Sequence, residues 1–541
     1  MPARTSSSLL LSCRMRNYRG AFLLSIIFFS VLLLLGLYVF RDYGMSFDEA
    51  THRKFGEMQY EYLISGTIDA NDLEIVYSPG LNFFETIIEK SLNITDTRSI
   101  YMMRHLCTFL LFYLSVLCFF FLCKHHFADW KMGLLGSAML VLSPRIFGDA
   151  FFNPVDIPFL SFWIMSMYAM ILFLERKSIL WLILLALSSA LTIDIRIGGI
   201  LIVGMTVLFL VLRYRKKSPH GISHLLDLLL AFFALTTIFT IIFWPILLSD
   251  PWGIFVSTLK TMSQFPWCNT VRYLGKDISA CSLPWHYKLV WIGATTPLVY
   301  LFYACIGWIR IAWNTLHHFS LNSAVLLREW IFLLWFWVPI VAVIILKSPV
   351  YDGWRHHFFV YPALILASLI GFQSLWNWLK LEKSLPLRII GECLMIAGVL
   401  LSMMVLVFWM VTNHPHQNVY FNELFNRNFD QKFELDYWGT SYKQGLEYVL
   451  KNDNRSQIKI ALHESVGNLN LDILSAADRN RLQAVGMDQA EYFLTYRRNH
   501  YGPYPYPLWH SIVVDSVHIL DIYKMKASFV KEAPSTLHTV D

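Results

Sequence analysis

The sequence predicts a mostly α-helical, polytopic membrane protein with about eleven transmembrane helices and a small soluble α/β domain at its C-terminal end. Three observations predict it. First, 56% of the 541 residues are hydrophobic and only 15% are charged, whereas a soluble domain carries about a quarter charged residues. Mean hydropathy is correspondingly high, at +0.48. Second, the apolar residues fall in runs near the ~20 residues a helix needs to cross a bilayer. Third, those runs stop near residue 413, and 414–541 read as short amphipathic elements.

Residues 20–40 form the cleanest run, without a charge. It is too long for the apolar core of a signal peptide and lacks a small-residue cleavage site, so it reads as a retained first span. Further spans are expected at 106–123, 132–147, 157–174, 178–193, 197–212, 228–249, 289–309, 330–346, 358–379 and 393–413. Between the first two lies a long loop, 41–105, with two surface helices at about 49–64 and 82–92. In the second, "NFFETIIEKSL" sets an apolar face against Glu85, Glu89 and Lys90, as suits a helix lying in the interface. Asn93-Ile94-Thr95 is a glycosylation sequon, relevant in a eukaryotic host. In the tail, "TSYKQGLEYVLKN" has helical spacing and "QIKIALH" reads as a strand. "AEYFLTYRR" and "HSIVVDSVHILDIYK" read as strands around the turn-rich "YGPYPYPLW".

Basic residues orient the chain. Arg14, Arg16 and Arg19 precede the first span, and Lys124, Lys131, Arg176 and Lys177 follow later ones. Arg213, Arg215, Lys216, Lys217, Arg310, Arg328, Lys380, Lys383 and Arg388 continue the series. All fall in connections that a cytosolic N-terminus places inside, as the positive-inside rule requires. The expectation is therefore a multi-pass protein with an extracytoplasmic tail, in a bacterial inner membrane or, alternatively, an ER membrane. The net charge of +6 reports topology, and no basic–aromatic interleaving suggests nucleic-acid binding. The eight cysteines contain no CxxC pair, which argues against a zinc or redox site. Cys268 and Cys281 share one outer loop and are either a disulfide or two free thiols.

Ionisable residues gather at the outer ends of the spans, where their cost usually marks function. The first loop gives Asp48 and Glu49, and "SPRIFGDAFFNPVDIPF" gives Arg145, Asp149, Asn153 and Asp156. "TIDIRIGG" gives Asp194 and Arg196, "LPWHYKLVW" gives His286 and Lys288, and "KSPVYDGWRHHFFVYP" gives Lys347, Asp352, Arg355, His356 and His357. Each has a plainer reading: Asp156 as a helix cap, an arginine as a headgroup anchor, the histidine pair as diverging interfacial side chains. Repetition of carboxylate with cation on one side is better explained by a shared polar cavity. Such a set suits transfer from a lipid-linked phosphate: a carboxylate takes the acceptor's proton, and cations stabilise charge growing on the departing phosphate. Aromatic loops such as "FPWCNTVRYLG" would hold a sugar ring and the prenyl chain.

An apolar first span ending in an Asp-Glu loop resembles the C-type glycosyltransferases, especially the polyprenyl-phosphate-sugar-dependent group. That group includes protein O-mannosyltransferases and the lipid A aminoarabinose transferase. The acidic loop around Asp149 to Asp156, "LPWHY", "SPVYDGWRHHFFVYP" and "HPHQNVYFNELFN…FELDYWGTSYKQGLEYV" follow in the expected order. The resemblance implies a C-type glycosyltransferase fold over 1–413, an extracytoplasmic α/β domain over 414–541, and Asp48 as catalytic base with Glu49 beside it. Asp156 or Asp149 would be the second carboxylate. Donor phosphate would meet Arg355, helped by His356, Lys347 and Arg145, with Asn153, Asp194, Arg196, His286 and Asp352 in the substrate loops. It implies a polyprenyl-phosphate sugar donor, a lipid, glycan or protein hydroxyl acceptor, and inversion at the anomeric carbon. No cofactor is expected to be required; Mg²⁺ or Mn²⁺ is left open. No loop has room for the large β-rich insert of eukaryotic protein mannosyltransferases, which leaves sugar and acceptor open. The rivals are a transporter or flippase of a lipid-linked glycan, whose sites usually lie at the midplane, and a membrane scaffold.

Overall fold

The computed structural model describes residues 5–67, 80–214, 219–263, 265, 267–318, 323–425, 428–498 and 502–525. The basic residues Arg215, Lys216 and Lys217 lie outside the described residues. The first half comprises α1 (Thr5–Val39), α2 (Glu49–Ser65), α3 (Leu81–Ser91), α4 (Thr97–Phe127), α5 (Trp130–Val141), α6 (Pro144–Phe152), α7 (Asp156–Arg176), α8 (Ile179–Ile195), α9 (Ile200–Tyr214) and α10 (Pro219–Phe243). Then follow α11 (Pro251–Ser263), a hairpin of β1 (Thr270–Tyr273) and β2 (Lys276–Ser279), α12 (Tyr287–Thr295), α13 (Leu298–His317), α14 (Ala324–Leu346), α15 (Tyr361–Leu379) and α16 (Leu385–Thr412).

Seven of the described helices are long and apolar enough to cross a membrane: α1, α4, α7, α10, α14, α15 with the short helical turn before it, and α16. The count of about eleven is therefore not reached by length and apolarity, although each expected run does fall on helix. The 132–147 run is α5 and α6, bent by 68°. The cause is local: Ser143 precedes a proline and is extended, as pre-proline residues prefer. α8 and α9 are shorter apolar helices. The 289–309 run is split between α12 and α13 at Thr296-Pro297, both in extended conformation.

α7 and α15 form the centre of the bundle, with 83% and 78% of their apolar stretches buried, while α1, α10 and α16 are mostly uncovered at its rim. α13 crosses α15 almost in backbone contact. A Cβ at Gly307 would overlap the Ala367 carbonyl, and one at Gly371 the Tyr303 carbonyl, the small-residue crossing typical of membrane helices.

The bundle has two polar ends. At one, His125 (α4) and Arg328 (α14) both meet Glu175 (α7), each at 2.6 Å. The tail packs on the other. Its sheet has the order β4-β3-β5-β7-β6, from β3 (Ile458–Leu462), β4 (Leu482–Ala484), β5 (Tyr492–Tyr496), β6 (Leu508–Val514) and β7 (Val517–Lys524). β3 pairs in parallel with β4 and β5, and β7 antiparallel with β5 and β6. The helix expected in "TSYKQGLEYVLKN" is Ser441–Asn452 and packs against this sheet. The three-residue β4 and the β1–β2 hairpin carried too little alternation to be read from sequence. Cys268 and Cys281 are joined by a disulfide at the foot of that hairpin, which closes the alternative of two free thiols.

The root of the first loop is clasped by the tail. Tyr43, fully buried, stacks on Phe151 at 4.4 Å and donates to Gln417. The Asn470 side chain pairs with both backbone groups of Met45 at 2.9 and 3.0 Å. Gly44 passes so close to Thr440 that a Cβ would overlap its carbonyl oxygen. These contacts hold the segment that leads to Asp48.

Candidate active site

Asp48 is the N-cap residue of α2, yet its side chain makes no capping bond. The carboxylate turns instead toward Arg355, 3.3 Å away and 307 residues on in the chain. The same guanidinium meets Asp156 at 3.2 Å and Asp352 at 3.3 Å. Arg196 holds the other oxygen of Asp156 at 2.5 Å. Four distant segments thus meet at one point: the first loop, the start of α7, the end of α8 and the turn before α15. Arg355 lies over the rings of Trp438 and Tyr351, 4.6 and 5.2 Å from their centres, a contact that a planar guanidinium favours.

The three carboxylates differ in access. Side-chain exposure is 27% for Asp48, 1% for Asp156 and 6% for Asp352. Asp156 is also saturated, since Asn153 donates to it at 3.0 Å besides its two arginines. It does not cap α7. The N-cap position is Val155, and the side-chain oxygen of Asn153 just before it accepts from the Val155 and Asp156 amides. Asn153 donates to Asp149 as well, at 3.0 Å, and Trp438 donates to the same Asp149 oxygen. Asp149 therefore stands one residue behind the cluster.

The remaining sequence candidates are committed to other contacts. Glu49 accepts from the Ser46 amide and hydroxyl and meets His105 at 2.8 Å, with 4% exposure; it braces the loop. Arg145 binds the Tyr420 carbonyl at 3.0 Å and lies over Phe421 and Trp291. His356 follows Arg355 and packs edge-on to Tyr351. Lys347 is exposed at the left-handed C-cap of α14. His286 meets the Tyr273 hydroxyl at 2.6 Å. Asp194 is fully buried, and neither oxygen has a hydrogen-bond partner among the described residues.

Two basic residues and two titrating carboxyl or imidazole groups join the site. Lys288, 3% exposed, donates to the Gly353 carbonyl at 2.7 Å. Burial, reinforced by Arg355, pushes its ammonium well below the usual lysine range. Arg498, from just past β5, meets Asp352 at 2.6 Å. His52, one turn past Asp48, is lowered to about 4 by burial against the opposing pull of Asp48, and is neutral at pH 7. Glu434 is 2% exposed, and burial outweighs Arg498 to raise it to about 8. Lys288 was legible in "LPWHYKLVW"; Arg498 sat among ordinary tail charges, with no local signal. Among the described residues no group of three or more His, Cys, Asp or Glu is arranged to hold a metal ion; each clustered carboxylate already faces a guanidinium.

Glu434 makes a testable statement about stability. The folded protein keeps this proton up to about pH 8, whereas an ordinary carboxyl releases it near 4.5. Between those values the folded state holds more protons, so this group's contribution falls as pH rises. Glu434→Gln is expected to flatten the pH dependence of thermal unfolding over that window and to gain most on the wild type near pH 8. An unchanged pH profile would show that Glu434 is ionised in the fold.

A family model described as dolichyl-phosphate-mannose-protein mannosyltransferase matches residues 84–244. The stretch is less than half the chain and runs from α3 to Trp244, just past α10, so it contains Asp156 and Arg196 of the cluster. This match agrees with the resemblance to polyprenyl-phosphate-sugar-dependent glycosyltransferases drawn from sequence motifs. Among solved structures, the chain is similar to the crystal structure of ArnT from Cupriavidus metallidurans bound to undecaprenyl phosphate. Identity is 12%, the match covers 92% of this chain and 97% of that one, and the TM-score is 0.46. No curated protein matches the chain by sequence.

Proposed function

We propose that this chain is an integral-membrane glycosyltransferase. It moves a monosaccharide from a polyprenyl-phosphate donor to a hydroxyl of a lipid, glycan or protein. The observation that carries the reading is the contact between Asp48, the accessible carboxylate, and Arg355, the cation shared by three acids. In the proposed reaction Asp48 takes the proton from the acceptor hydroxyl as its oxygen attacks the anomeric carbon. The bond from that carbon to the phosphate oxygen breaks, and the polyprenyl phosphate leaves with the electron pair. A single displacement of this kind inverts the anomeric centre. Arg355 meets the charge growing on the phosphate, the electrostatic contribution that usually dominates such steps. Asp156, held by Arg196 and Asn153, keeps Arg355 in place. Trp267 stacked on Tyr351 at 3.9 Å offers a sugar an aromatic platform beside Arg355. No divalent ion is required in this scheme.

The site is assigned to the extracytoplasmic face. Two features support that assignment. The Cys268–Cys281 disulfide adjoins Trp267 and hence the cluster, and disulfides persist in oxidising compartments. Arg176, Lys177 and Arg328 lie toward the opposite polar end, where the positive-inside rule expects them. A midplane transport site fits less well, because the converging charges sit at span ends.

The test is mass analysis of surface lipids, glycans and glycoproteins from cells with and without the chain, followed by assay of the purified protein with a polyprenyl-phosphate sugar. A sugar missing from one acceptor class in the deleted cells, and release of polyprenyl phosphate in vitro that survives EDTA, are expected. Unchanged glycans together with no release from any donor would end the proposal. Loss of release in EDTA alone would overturn its metal-free form.

A further inference from the structure

Arg355 has more anionic partners than it can serve once a phosphate arrives. Three carboxylates already share its guanidinium, and any donor phosphate has to compete with them. Asp156 has Arg196 as a second cation. Asp352 has one too, and it comes from the soluble tail: Arg498 meets Asp352 Oδ1 at 2.6 Å, while Asp352 Oδ2 meets Arg355 at 3.3 Å. Arg498 is itself held by the Tyr437 carbonyl at 3.0 Å, and its side chain is only 14% exposed. Asp352 sits on a left-handed turn with Gly353, a conformation that aspartate tolerates better than most side chains. The Gly353 carbonyl in turn binds Lys288. One short turn therefore touches Arg355, Lys288 and the tail domain.

We propose that Arg498 is a positioning residue that completes the anion site from the tail. By neutralising Asp352 it weakens that carboxylate's hold on Arg355, so that Arg355 can turn to a phosphate. The inference rests on the donor-phosphate role given to Arg355 above. Without Arg498, Asp352 keeps Arg355 as its one cation of the two, so the buried carboxylate binds Arg355 more tightly and repels an incoming anion. Arg498 contacts carboxylate and carbonyl rather than substrate, so its effect passes through Asp352.

That routing gives a test which a structural role would fail. The probe is farnesyl phosphate, titrated by calorimetry into the full chain in nanodiscs. R498Q is expected to weaken binding on the order of tenfold, the worth of one charged contact, with little change in kcat at saturating donor. R498K keeps the charge and is expected to stay near the wild type. The double variant R498Q/D352N is expected to recover most of the lost affinity, because it removes the competitor that Arg498 restrained. If R498Q binds like the wild type, if R498K is as weak as R498Q, or if D352N gives no recovery, the inference is overturned. If all three binding results hold while no sugar is transferred from any donor, the anion site stands and the transfer reading falls.

Discussion

Replacing Asp48 by Asn is expected to lower sugar transfer by about 10²- to 10⁴-fold, the usual loss on removing a general base, while the protein still inserts and folds. The reasoning is comparative. Four carboxylates were candidates, and three are occupied. Glu49 is tied to Ser46 and His105, Asp156 is saturated by Arg196, Arg355 and Asn153, and Asp149 lies fully buried behind Asn153 and Trp438. Among the described residues Asp48 has a single ion-pair partner, and it is the most exposed of the acids around Arg355. The exchange keeps the side chain's shape and removes its basicity, and Asp48 makes no capping bond that folding would miss. Transfer in purified membranes, with a melting curve as the control for folding, decides the matter. Turnover like the wild type's would move the base to another residue.

Arg355→Ala is expected to be costly twice over. It removes the cation assigned to the donor phosphate, so transfer falls by about 10²-fold or more, as for loss of a preorganised charge-stabilising donor. It also leaves Asp156 and Asp352 with one buried partner fewer, and breaking a buried ion pair costs about 3–5 kcal/mol. Arg355→Lys separates the two effects. A lysine preserves the charge but lacks the planar fork that spans three carboxylates and lies over Trp438 and Tyr351, so stability is expected to return further than activity. Donor affinity and rate, measured beside unfolding temperature for both variants, check this. A lysine variant with full activity, or an alanine variant with unaltered donor affinity, would remove Arg355 from the phosphate site.

Much of the helical framework was legible because helical membrane spans advertise themselves: without water to satisfy the backbone, an α-helical span has to be long and apolar. Residues 20–40 and 393–413 are such runs, and both are helical. The reading was weaker where spans are broken, at Ser143-Pro144 and Thr296-Pro297, since apolar composition continues across a bend that the proline imposes. In the tail, the helix after Thr440 and the strands in "QIKIALH" and "HSIVVDSVHILDIYK" were visible as periodicity, whereas β4 is too short to show any. Within the candidate site, Asp48, Asp156, Asp352, Arg196 and Arg355 stood out as charges at span ends, where an ion is costly unless it serves a purpose. The same criterion also gathered Glu49, His286 and Lys347, which the fold uses as a loop brace, a tyrosine partner and an exposed helix end.

Sequence by itself determined that this is a multi-pass helical chain with a small mixed tail, and that charges repeat at one set of span ends. Local composition carries those properties, because hydrophobic length and alternation act over tens of residues. Only the tertiary structure decided which charges touch. Arg355 meets an aspartate 307 residues earlier, and a tail arginine completes its surroundings from 146 residues past Asp352. Ion pairing depends on a few ångströms of separation, and that distance is set by how α7, α15 and the tail pack together, which no stretch of neighbouring residues records.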